Sequence, residues 1–171
     1  MDKIIVLENF LSVEDLATIR LSLIKPKWSF QDKLISNGNL FWKYELKNDS
    51  FFTSYLKNKI TVVTGKQLKL HDVYARGCTY GQKNNFCQDN VSDKFYNFCF
   101  YINDIIKSEC DSDFVEGHLE IKVPDFPHAL KINTIYNRGV FFPSNFLYKN
   151  NSFSRFCVNL CITIIWQFEI E

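Results

Sequence analysis

From Leu68 onward the chain divides into short runs rich in β-branched and aromatic residues, and this succession is what most limits how it can fold. The runs are 68–74, 95–102, 118–123, 130–135, 139–142 and 156–168, separated by segments carrying Gly, Pro, Asn or Asp. Many short strands after a helical front predict an α+β chain that is mainly β: a jelly roll of two packed sheets, with supporting helices on one face. The mouth of such a roll accepts a small ligand.

The front half supplies the helices. Residues 4–7 form a short β-type run. Ser12 followed by Asp15 then reads as a helix start, and Val13, Leu16, Ala17, Leu23 and Ile24 give an apolar stripe over a helix 13–24 stopped before Pro26. Runs 28–35 and 40–46 flank Asn37-Gly38, a strong hairpin signal. Asp49 caps a second helix carrying Phe52, Tyr55, Leu56, Ile60 and Val63 at helical spacing, ended by Gly65. With no repeat, linker or low-complexity segment, residues 1–171 are expected to form a single domain.

Composition narrows the partners. A formal charge of +1 with scattered Lys and Arg gives no footprint for nucleic acid or an anionic membrane. The 17 Phe and 8 Tyr suit a β-rich core filled by flat side chains. The first ten residues lack the apolar region and cleavage site of a secretory signal, and run 156–168 is too short to span a bilayer. Six Cys without a targeting segment point to a reducing cytoplasm, with Cys99, Cys157 and Cys161 as small buried hydrophobes. The sequons at Asn90 and Asn150 then carry no glycan.

The chemistry concentrates in residues 74–103. Cys87-Gln88-Asp89 sets two potential metal ligands on one face of an extended chain. A Tyr-bearing strand precedes it, a Gly-containing loop leads into it, and the next strand ends Tyr101-Ile102-Asn103. This stretch resembles the iron-binding segment of the 2-oxoglutarate- and Fe(II)-dependent dioxygenases of the prolyl 4-hydroxylase type, with Cys87 where the family has His. Three further stretches are similar to that family in the same order: the strand, Asn9-Phe10-Leu11-Ser12 and helix at the start; Gly117-His118-Leu119 entering a strand, with Glu116 for a Gly; and Asn137-Arg138-Gly139-Val140-Phe141-Phe142.

The resemblance implies a double-stranded β-helix with two supporting N-terminal helices, and a site holding Fe(II) and 2-oxoglutarate. Such iron is bound by two His and one carboxylate, leaving positions for the co-substrate and O2. Here Asp89 matches the carboxylate, Cys87 stands at the first His, and Tyr148 stands where the distal His is expected. Arg155 matches the Arg that clamps the distal carboxylate of 2-oxoglutarate, with Tyr101 and Tyr74 supplying hydroxyls.

Each assignment has a plain alternative. Cys87 is a thiolate ligand or a small residue filling the vacated space; Tyr148 is a ligand or a phenol capping a strand end; Asp89 is a ligand or a loop cap; Arg155 is a clamp or a solvated strand end. His118-x-Glu120 with His128 is a relocated metal site or a solvated pair, and His71 is structural. Two functions follow: a hydroxylase acting on an unknown target, which includes protein proline and hence a peptide or protein substrate, or a catalytically silent pseudo-oxygenase serving as a binding module. The sequence does not fix the oligomeric state.

Overall fold

Ser12 sets the first helix. Its hydroxyl accepts from Asp15 N at 3.3 Å, and the Asp15 carboxylate accepts from Ser12 N at 3.4 Å. This capping box opens α1, Val13–Leu23. The buried stripe is Leu16, Ile19 and Leu23 together with Asp15, while Val13, Ala17 and Ile24 face outward. The sequence stripe is therefore rotated by part of a turn, because Asp15 turns inward to meet Lys59 Nζ at 2.5 Å. Lys59 lies on the second helix, so this ion pair ties the two helical elements together. The structure described here is a computed structural model covering residues 4–31, 40–82, 84–103, 117–151 and 160–171.

Asp49 opens the second helix as its sequence predicts: its carboxylate accepts from Phe51 N at 3.0 Å and its carbonyl from Phe52 N and Thr53 N. The first turns, Phe51–Leu56, are wound as a π-helix before continuing as α2, Lys57–Thr64. Gly65 ends it at φ 64, a left-handed cap that favours Gly. Phe52, Leu56 and Ile60 are the buried face.

Ten strands are present among the described residues: β1 Ile5–Leu7, β2 Ser29–Gln31, β3 Phe41–Glu45, β4 Leu68–Cys78, β5 Phe95–Tyr101, β6 His118–Lys122, β7 Leu130–Asn133, β8 Arg138–Pro143, β9 Leu147–Asn150 and β10 Cys161–Ile170. Seven form one sheet in the order β1-β8-β5-β10-β4-β3-β2, and three form a second in the order β7-β6-β9. All pairings are antiparallel. β2 and β3 pair in hairpin fashion, Gln31 opposite Phe41, while the Asn37-Gly38 turn lies outside the described residues. β4 extends four residues beyond its expected end at position 74, β10 begins at Cys161, and β9 is a strand that apolar runs alone do not mark.

Alternation along the large sheet produces two cores. Ile164, Trp166 and Phe168 of β10, Phe98 and Phe100 of β5, and Val73 and Ala75 of β4 pack outward against Leu16, Ile19, Phe52, Leu56 and Ile60 of the helices. Trp166 Nε1 donates to Phe52 O at 3.1 Å and pins the helix to the sheet. The opposite face, with Cys99, Tyr101, Val140, Phe142 and Ile165, packs against Leu119, Ile121, Ile132, Phe146 and Tyr148 of the small sheet and its flanks. The candidate site lies between the sheets.

Asn137 joins the amino-terminal segment to this frame. At φ 59, its side chain accepts from Leu11 N and donates to Leu11 O, both at 2.9 Å, and its carbonyl accepts from Phe10 N at 3.0 Å. Arg138 adds contacts to Glu8 at 2.6 Å and to Asn133 O at 2.6 Å. Next to it, Gly139 leaves room for Phe98: a Cβ there would sit 2.3 Å from the ring carbon Cζ. Both residues are buried, so Gly139→Ala is expected to lower stability by about 1–3 kcal/mol through overpacking. Phe98→Leu in the same chain should restore part of that loss, measured by thermal or urea unfolding, because the clash is with the ring.

Candidate functional site

Two short strands bring Cys87, Asp89 and Tyr148 together. Cys87 N donates to Tyr148 O at 2.9 Å and Tyr148 N to Cys87 O at 2.8 Å, so residue 87 extends the small sheet past β9. Asp89 follows two residues later and therefore faces the same way. Its Oδ2 accepts from the Tyr148 hydroxyl at 2.9 Å and from Asn97 Nδ2 at 2.6 Å. Asn97 is fully buried on β5, and its Oδ1 accepts from the Ser144 hydroxyl at 3.2 Å. Ser144 O in turn accepts from Asp89 N at 3.2 Å. The result is a connected polar network that runs from buried Asn97 and Ser144 to the exposed Asp89.

The protonation of this network follows from its burial. Tyr148 is buried, and desolvation together with the charge of Asp89 pushes its phenol well above the ordinary tyrosine range. It is therefore a neutral donor to Asp89. Burial and Asp89 likewise push up the Tyr74 phenol and the Cys99 thiol on the facing strands. Tyr101 is buried on β5 with its hydroxyl unpartnered, and burial pushes its phenol up as well. Arg155 lies outside the described residues.

A group that sequence reading passed over occupies the same interior. Arg76 on β4 is only 5% exposed, and it lies two residues from Tyr74, on the same face. Its guanidinium stacks on Phe41 at 4.7 Å and donates from Nη2 to Asn84 Oδ1 at 2.6 Å. Burial opposes its charge, but Cys78, which also hydrogen-bonds the guanidinium, leads the groups that hold its pKa above the usual value. The signal was in the spacing: once Tyr74 is placed inward, alternation along one strand places Arg76 inward too.

The histidines resolve differently. His118 Nε2 pairs with Glu120 Oε1 at 2.9 Å, and Asn151 Nδ2 reaches both, at 2.8 and 2.9 Å. Lys149 Nζ meets Glu120 Oε2 at 3.1 Å. His128 is exposed in the 123–129 connection, and no three His, Cys, Asp or Glu side chains gather into a metal-holding group among the described residues. Of the two alternatives for His118 and Glu120, the relocated metal site with His128 does not form among the described residues, and the pair is part of a polar network with Asn151 and Lys149 on the small sheet. His71 is a half-exposed partner of Glu169 at 3.1 Å.

The donor set at Asp89 does not fit a divalent iron. The carboxylate oxygen facing the interior already accepts two hydrogen bonds, Tyr148 is a neutral phenol directed at that oxygen, and Cys87 Sγ lies 3.7 Å from Tyr148 O as a weak donor. A cation bound through Asp89 Oδ2 would have to displace both of these hydrogen bonds.

Two antiparallel sheets packed face to face, with two helices behind the larger one, form a double-stranded β-helix, the fold also seen in solved structures of 2-oxoglutarate- and Fe(II)-dependent oxygenases. Among these, prolyl 4-hydroxylases share its fold over nearly the whole chain. A prolyl-4-hydroxylase from Pseudomonas putida is similar with TM-score 0.73 at 9% identity, covering 99% of this chain and 93% of that one. An oxidoreductase of the 2OG-Fe(II) oxygenase family from Burkholderia pseudomallei gives TM-score 0.73 at 7% identity, covering 98% and 85%. A prolyl hydroxylase from Trichoplax adhaerens, in complex with a hypoxia inducible factor peptide fragment, gives 0.66 at 12%, covering 99% and 84%. No family description matches the sequence, and no curated protein sequence does. At such identities the likeness establishes the fold.

Tyr148→Phe removes one of the two side-chain donors to the exposed Asp89 carboxylate, and is expected to destabilise the chain by about 0.5–1.5 kcal/mol in chemical unfolding. Glu120 gives a pH prediction. Burial raises its pKa, but bonds from His118, Lys149 and Asn151 overcome this and lower it from 4.5 to about 2. Its contribution, on the order of 3 kcal/mol, is complete above about pH 4.5 and is lost as pH falls toward 2. Glu120→Gln should flatten the stability profile across that window, read by urea titrations at fixed pH.

Proposed function

We propose that this chain is an iron-free binding module built on an oxygenase fold. The observation that carries the reading is the Tyr148 hydroxyl on Asp89 Oδ2 at 2.9 Å. A phenol in that position supplies the electrostatic partner that a carboxylate otherwise finds in a cation, and its raised pKa keeps it there as a donor. The replacement is internally complete, since Asn97 and Ser144 satisfy the remaining members. The reading keeps the protein in a reducing cytoplasm, where Cys87 and Cys99 remain thiols.

The competing reading is an active 2-oxoglutarate- and Fe(II)-dependent hydroxylase, which the placement of Asp89 beside Cys87 and Tyr148 favours. Its target would be a peptide or protein residue, by analogy with the peptide held by the Trichoplax neighbour. Anaerobic titration with Fe(II) separates the two. The wild-type protein is expected to show no one-to-one iron binding and no iron-dependent conversion of 2-oxoglutarate to succinate. Cys87→His combined with Tyr148→His should create iron binding that the wild type lacks. Stoichiometric iron uptake by the wild type, or succinate release on adding iron, overturns the iron-free reading.

A further inference from the structure

Two cysteines face each other across the ladder that joins β4 to β10. Cys78 is the last residue of β4, Cys161 is the first of β10, and the two stand directly opposite in the antiparallel register. Both are buried and both are thiols. Opposite residues in such a ladder have Cα atoms about 4.5–5.5 Å apart, within the roughly 4.4–6.8 Å that a disulfide spans. Their Cβ atoms, about 4.5–5.5 Å apart, need to close by about 1 Å to reach disulfide range. The pair sits at the end of the ladder, so this closure falls on a terminus of each strand and not on its middle. Cys99, by contrast, stands opposite Ile165 and Val140 and has no cysteine across from it.

The surroundings of the pair favour chemistry at sulfur. Arg76 lies two residues before Cys78, on the same face, and its guanidinium hydrogen-bonds the Cys78 sulfur. A cation there stabilises the negative charge that a sulfur carries as it attacks. Cys78 and Cys161 line one cavity together with Arg76, Thr134, Asn150 and Thr163. In its walls, Arg76 Nε and both amide atoms of Asn150 have no hydrogen-bond partner. Such walls suit a small molecule that both donates and accepts. The cavity volume is about 10 Å³, room for roughly one water. Among oxidants of thiols, hydrogen peroxide comes nearest to that size and character.

We propose that Cys78 and Cys161 form a reversible disulfide in response to hydrogen peroxide. The Cys78 sulfur attacks one peroxide oxygen, the O–O bond breaks and water leaves, giving a sulfenic acid at Cys78. The Cys161 sulfur then displaces that oxygen: the S–S bond forms, the S–O bond breaks, and the hydroxyl leaves as water with the Cys161 proton. Two thiols are oxidised and one peroxide is reduced to two waters. Because the strands must close to form it, the bond carries strain, and this makes it readily reduced by thiols. A bond of that kind is the redox-responsive type found in a reducing cytoplasm. The proposal does not depend on whether the fold binds iron.

The test uses the full chain, reduced, freed of reductant and kept in EDTA so that no metal drives oxidation. The folded protein is treated with hydrogen peroxide or, separately, with oxidised glutathione, capped with N-ethylmaleimide, and mapped by peptide mass spectrometry. Peroxide is expected to remove two cappable thiols and to join the peptides of Cys78 and Cys161, and dithiothreitol to reverse both changes. Oxidised glutathione, too large for the cavity, should form the same bond at least about tenfold more slowly. Cys161→Ala should stop the reaction at a Cys78 sulfenic acid that dimedone captures. The wild-type map decides by itself if that variant fails to fold. Survival of all thiols under peroxide, a bond joining another pair in place of this one, or glutathione reacting as fast as peroxide overturns the proposal.

Discussion

The structure depends on the two-sided character of β10. This strand lies at the centre of the large sheet, hydrogen-bonded to β4 on one side and β5 on the other. Ile164, Trp166 and Phe168 face the helices, while Cys161, Thr163 and Ile165 face the space between the sheets. A shift of one residue in its register would exchange these sets, placing Thr163 under the helices and Trp166 in the site. The fully buried Trp166, bonded to Phe52 O, blocks that exchange. The geometry of the interior is therefore fixed by an apolar contact on the far side of the sheet.

That interior is divided by polarity. Its base is filled by Val140, Phe142, Ile165, Leu119 and Ile121, and one flank holds the connected network of Asp89, Tyr148, Asn97 and Ser144. Among the described residues, buried polar atoms without partners are Asn145 Oδ1, next in sequence to Ser144, together with Arg76 Nε, the Tyr101 hydroxyl and both amide atoms of Asn150. Buried polar groups are normally satisfied, so these few atoms mark where the interior is not finished by its own side chains.

Much of the architecture was legible in the sequence because local signals agreed with it. The Ser12 and Asp15 capping box, the Asp49 helix start, the Gly65 stop and the aromatic runs of β5 and β8 all act over a few residues. What escaped was long-range. β9 is four residues long, and two of its side chains are polar, so only its pairing with β6 makes it a strand. The inward stripe of α1 was displaced by Asp15, whose partner Lys59 is 44 residues away. At the site, Cys87, Asp89 and Tyr148 were legible as positions, but their mutual hydrogen bonding was not. Arg76 carries no local signal of its own, and only the inward placement of Tyr74 two residues earlier on β4 turns it inward.

The hold of Asn137 on Leu11 has a bearing on how such a chain diverges. One carboxamide reads both the N–H and the C=O of its target, groups that every residue except proline offers alike. The tether is thus written in the main chain and is blind to which apolar residue stands at position 11. Attachments of this kind let one architecture be written in very different sequences, consistent with coverage of nearly the whole chain by structures that share as little as 7% of its residues.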